Sequence, residues 1–210
     1  MSGRRILEYG GVIAGVILIG FGIGAIWLSI DARSTTRDEL QRENIVGSPD
    51  MNPDDTAAAV QEAGLEDVDT PSCDVAEQPI ETGEDARCFA QYMRIHALEA
   101  SGGLTYAEMG RFVAADDPEN PAGTSDEEAA LTDDEGNPVP NARRETWVTE
   151  TALTTALNMS YMAEQLALFG VVVGIALVLV GVGLIILALG GALRRPAAAD
   201  TGPRRAATVE

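Results

Sequence analysis

Twenty-eight consecutive residues, Leu166 to Leu193, carry no charge; Glu164 stands just before them and Arg194-Arg195 close the run. As a helix this stretch is about 42 Å long, against a hydrocarbon core of about 30 Å, so it is long enough to cross a bilayer with tilt. Eighteen of its residues are Leu, Ile, Val or Phe. At about −0.3 to −0.6 kcal/mol each, they favour the bilayer by roughly 5 to 11 kcal/mol before the glycines are discounted. A soluble core would have to surround this helix, and the rest of a 210-residue chain holds too little apolar material to do so. The run reads as a transmembrane helix over 166–193.

A second uncharged run, Tyr9 to Ile30, follows a short basic start with Arg4 and Arg5. Its 22 residues match one crossing at about 33 Å. A cleaved signal peptide is the rival reading, but the apolar part is unusually long and no A-x-A-like site follows it. The expectation is an uncleaved anchor over 9–30, preceded by a cytoplasmic segment 1–8. Both runs are rich in glycine. Gly11/Gly15, Gly20/Gly24 and Gly170/Gly174 are GxxxG pairs, and Gly174/Gly181 repeat at seven. Small residues let two backbones approach and gain dispersion contacts that lipid does not match. These glycines are therefore expected at a helix-packing face, between the two spans or between copies of the chain.

Charge sets the orientation. The chain has 33 acids, 14 arginines and no lysine, for a net −19. Between Asp31 and Gln165 stand 30 acids and 8 arginines, a net −22, whereas arginines flank both outer ends of the spans. The positive-inside bias places both termini, including the tail 194–210, in the cytoplasm and residues 31–165 outside. So acidic a chain is not built for nucleic acid, whose phosphates need clustered Lys and Arg.

Within 31–165, the polar stretch from Asp31 to Asn44 is compatible with a continued first helix, ending before Gly47-Ser48-Pro49. Asn52 as N-cap, Pro53 as first residue and Gly64 as stop predict a short helix, with loop over 65–84. Phe89, Tyr92, Met93, His96 and Ala100 recur at three and four and predict a helix over 85–101 with that face apolar. Thr105-x-x-Glu108 reads as the capping box of another helix through about Val113. Asp116 to Pro140, acidic and rich in proline, reads as a mobile excursion. A helix then resumes near Ala142 and runs unbroken to 193, with Val148, Ala152, Met159, Met162 and Leu166 as its apolar stripe.

Few residues point to chemistry. Cys73 and Cys88 are the only cysteines; outside the membrane they are expected to form a disulfide, and without histidine companions they make a poor zinc set. His96 is the sole histidine. It excludes a two-His iron site within one chain and HExxH zinc chemistry. The stretches ENIVGSPDMNPDD (43–55), ARCFAQYMRIHALEASGGLTYAEMGR (86–111) and WVTETALTTALNMSYMAEQLALFGVVVGIAL (147–177) resemble a family of uncharacterised two-span membrane proteins of high-GC bacteria. Some of its members bear the label aromatic ring-opening dioxygenase, an activity whose ferrous centre needs more histidines than this chain has.

The chain therefore reads as an all-α membrane protein: a two-transmembrane helical hairpin with an extended, acidic, mainly helical extracytoplasmic region. No cofactor is expected. The expected surroundings are a lipid bilayer in the plasma membrane and a homo-oligomer or larger complex. The expected work is non-enzymatic, an accessory or scaffolding role of the outer region, with His96, Glu99, Gly102, Gly103, Tyr106 and Glu108 as candidate interaction residues. The alternative is a metal-dependent enzyme or sensor centred on His96. A channel or transporter would need ionisable residues in the spans, and neither has one.

Overall fold

The computed structural model describes residues 3–65 and 68–190; Arg194, Arg195 and the expected tail lie outside them. Among the described residues the chain is all-α, with four helices and no strand: α1 Gly3–Glu43, α2 Pro53–Glu62, α3 Gly83–Ala100 and α4 Ala142–Leu189. α1 and α4 are long and apolar enough to cross a membrane. The described chain forms two compact units. One joins α1 up to Leu28 with α4 from Gly170 onward; the other is Ser29–Phe169.

In the first unit, α1 and α4 run antiparallel in backbone contact. A Cβ on Gly15 would lie 2.6 Å from the Gly181 carbonyl, and one on Gly22 would lie 2.6 Å from the Gly174 carbonyl. The relation is reciprocal, since a Cβ on Gly174 or Gly181 would meet the carbonyl of Gly22 or Gly15. Both helices thus place glycines seven residues apart at the crossing, with Ala188 continuing the α4 series, buried to 1% exposure. Gly22 enters this seam although it belongs to no GxxxG pair. Gly20 and Gly24 are in open space, with nothing within 4 Å of a Cβ; Gly11 and Gly170 are half-buried. Large apolar side chains such as Phe21, Trp27, Leu179 and Leu189 point away from the protein, each about two-thirds exposed.

The second unit is built on α3, which packs antiparallel along α4. At its start Thr82 accepts from the Asp85 amide while the Asp85 carboxylate accepts from the Thr82 amide. This reciprocal cap begins the helix two residues before the expected Asp85. There Gly83 sits against Tyr161, whose Cα a Cβ would approach to 2.8 Å. At its end Gly102 and Gly103 take φ of +63° and +81°, a left-handed exit that L side chains disfavour. The main core gathers Leu40 of α1, Met51, Val75, Ile80, Tyr92 of α3 and Leu157 of α4. A smaller cluster sets Leu98 and Met109 against Trp147. α2 forms as its caps predict, Asn52 accepting from the Asp55 amide at 3.0 Å.

Two expectations fail here, each for a tertiary reason. Thr105 and Glu108 make their capping contacts, at 2.8 and 2.7 Å, yet no helix follows. Instead Gly110 and Phe112 donate backbone bonds to Ala122 and Thr124, and Val113 to Val139. Residues 116–140 are not an excursion, because these bonds fold them onto 110–115. Buried Asn141 ties the ends, its amide donating to the carbonyls of Gly110 and Pro121. The acidic turn is capped by its own side chain, as the Asp133 carboxylate accepts from the Asn137 amide at 2.7 Å. Among the described residues of 31–165, about half are helical and none is in a strand.

The two apolar faces marked out by the sequence end in different surroundings. On α3, Tyr92 is in the core with Phe89 and Met93 packed against it, while His96 is half-buried and Ala100 is exposed. On α4 the stripe Val148, Ala152, Met159, Met162 and Leu166 is exposed throughout. The inward face is Trp147, Glu150, Leu157 and Glu164, all at most 6% exposed. Two glutamates, Glu150 and Glu164, lie on this inward side. They are tolerated because arginines meet them: Arg37 donates to Glu164 at 2.7 Å and Arg33 lies 3.7 Å away, while Arg94 stands 3.5 Å from Glu150.

Candidate functional site

Because α3 presents Phe89 and Met93 one turn apart on its half-buried side, a furrow opens between α3, α4 and the end of α1. Its floor and walls are Ile45, Phe89, Met93, Leu153, Ala156 and Leu157, its rim Glu39 and Glu43, and its volume about 490 Å³. A second hollow of about 640 Å³ shares Phe89, Met93 and Leu153 and extends the furrow towards Met51, His96 and Glu145. The two form one apolar channel on the surface of the Ser29–Phe169 unit, edged by carboxylates. At its rim His96 Nε2 lies 3.2 Å from an Asp50 carboxylate oxygen. The Ser48 hydroxyl first, and His96 in addition, hold Asp50 below its ordinary value of 3.8.

Across α3 lies a cavity of about 390 Å³, between residues 68–71, α3 and α4. Arg94 stacks over the Trp147 ring at 3.9 Å while facing Glu150, whose Oε1 is buried with no hydrogen-bond donor in reach. Beside this cavity, Cys73 and Cys88 are joined as a disulfide with Cα atoms 6.1 Å apart. The buried Tyr92 hydroxyl donates to the Cys73 carbonyl, and burial raises its pKa above 10.0. The bridge and this hydrogen bond hold the proline-bearing loop against α3.

The residues singled out from the sequence do not form one constellation. His96 pairs with Asp50, and Glu108 caps Thr105. Tyr106 lies under the Arg144 guanidinium at 3.9 Å. Gly102 and Gly103 serve the exit of α3, and Glu99 is half-buried on that helix. Among the described residues no three His, Cys, Asp or Glu side chains converge to hold a metal ion. The sequence marks Phe89 and Met93 as part of an apolar face. It does not mark Leu153 and Ile45, because no local spacing connects them to α3. Comparison with protein-family models, with curated proteins and with solved structures finds no match.

Proposed function

We propose that this is a non-enzymatic, two-span membrane protein whose acidic connecting region docks a partner chain. Two helices of sufficient length and apolarity support the membrane reading, as do the large apolar side chains they turn outward. The arginine distribution supports cytoplasmic termini and an extracytoplasmic 31–165, and a disulfide within that region fits an oxidising compartment. One observation carries the docking role: the apolar channel over Phe89, Met93 and Leu153, open along its length and edged by Glu39, Glu43 and Glu145. Such a channel suits an amphipathic segment that lays apolar side chains into it and sets basic residues along its edges.

A purified sample in mild detergent tests this against a fluorescent amphipathic Leu/Arg helix peptide, its Leu/Glu counterpart serving as control. The basic peptide is expected to bind, more weakly at high salt, and to lose most of its affinity for Met93→Glu with Leu153→Glu. Equal binding of both peptides, or binding indifferent to the two substitutions, refutes the docking role. Release of the chain from membranes by alkaline carbonate refutes the membrane reading independently.

A further inference from the structure

The exposed stripe of α4 is too regular to be incidental surface. Val148, Ala152, Thr155, Met159, Met162 and Leu166 alternate at spacings of four and three, the 3.5-residue repeat of a coiled-coil seam. Every one is exposed, the four large ones by more than half: Val148 53%, Met159 56%, Met162 60% and Leu166 67%. The Thr155 hydroxyl donates to the Thr151 carbonyl at 2.6 Å. The inward face of the same helix, on Trp147, Glu150, Leu157 and Glu164, is already covered by α1 and α3. α4 is therefore a helix with two nearly opposite seams, of which one is filled.

We infer that the open seam, Val148 to Leu166, is where a second copy of this chain packs, α4 against α4 in parallel. Charge identifies the occupant. Residues 31–165 carry a net −22, so two copies repel over most of their surface. Yet from Thr146 to Gln165 the only charged residues are Glu150 and Glu164, both buried on the other face. The strip is neutral within an acidic surface, so two like-charged copies can meet there without opposing carboxylates. A basic partner gains nothing from it and is drawn to the acidic channel instead. One repeat position before Val148 stands exposed Glu145, which ends the seam. The spacing also continues in sequence through Phe169 and Val173 into the apolar run. The association rests on this face alone; only the parallel sense rests on the membrane reading, since two copies inserted alike have parallel α4 helices.

Single cysteines placed in the otherwise wild-type chain test this, with oxidation in native membranes. Met159→Cys and Met162→Cys are expected to give disulfide-linked dimers in high yield. Leu153→Cys, equally apolar and 48% exposed but on the channel side, is expected to give at least fivefold less. Adding Val148→Glu and Leu166→Glu to Met159→Cys is expected to remove the dimer. Comparable yields at all three positions, no dimer at the seam, or linkage of the seam to a different protein overturns the inference. Pelleting of each variant with membranes is scored separately, so failure of the membrane reading is distinguished from failure of the seam.

Discussion

Adding one methyl group at Gly174 tests the helix crossing directly. A Cβ there would sit 2.6 Å from the Ile26 side chain and 2.7 Å from the Gly22 carbonyl oxygen. Ordinary contact begins near 3.4 Å, so α1 and α4 must separate locally by about 0.7 Å or the backbone must bend. The carbonyl is held by its own helix and has no rotamer to yield, which places the cost at the overpacking level of about 1–3 kcal/mol. Gly20→Ala is the matched control, because nothing lies within 4 Å of its Cβ; its effect is expected within about 0.5 kcal/mol of zero. Fluorophores on Leu7→Cys and Leu189→Cys, both exposed and level with each other in the antiparallel pair, report separation by energy transfer. The native cysteines are joined in their disulfide and do not label. Titration of detergent-solubilised protein with SDS is expected to shift to a lower midpoint for Gly174→Ala and to leave Gly20→Ala unmoved. Equal shifts for the two variants would refute the crossing and restore the GxxxG pair as the packing face.

Four further outcomes concern the Ser29–Phe169 unit, read by urea titration of Trp147 fluorescence in a Trp27→Phe background. Reducing Cys73–Cys88, which closes a 15-residue separation, is expected to cost about 3 kcal/mol; an unchanged midpoint in reductant refutes this. Tyr92→Phe strands the Cys73 carbonyl and is expected to cost about 1–3 kcal/mol. Because burial raises the Tyr92 pKa, its contribution is complete below the unfolded value of about 10 and is lost as pH rises through the folded one. Wild type should therefore weaken more steeply than Tyr92→Phe in alkali. Asp50 has the opposite sign: its lowered pKa gives stability that is present above 3.8 and lost as pH falls through the depressed value. Asp50→Asn should consequently show a flatter acid limb than wild type. Glu164→Gln leaves Arg37 and Arg33 without their carboxylate; as both arginines are more than a third exposed, about 1–2 kcal/mol is expected rather than the larger cost of a fully buried pair.

Features that depend mainly on neighbours along the chain are legible in one dimension. Uninterrupted apolarity specifies α1 and α4 whatever surrounds them. Asn52-Pro53 and the glycines after Ser101 set local backbone geometry that needs no distant partner. Compositional asymmetry isolates the acidic middle region in the same way. Which face each helix turns inward depends instead on residues far away along the chain. Glu150 and Glu164 face inward because Arg94 and Arg37 meet them from other helices, and the apolar stripe of α4 lies on the outside. Likewise Thr105 and Glu108 offer a helix start, but hydrogen bonds from Gly110 and Phe112 to residues more than ten positions away outweigh it. Gly22 enters the crossing because it is level with Gly174, a registration between two helices that one-dimensional spacing does not contain. The channel beside Phe89 exists for the same reason: its walls come from three helices whose juxtaposition no local pattern encodes.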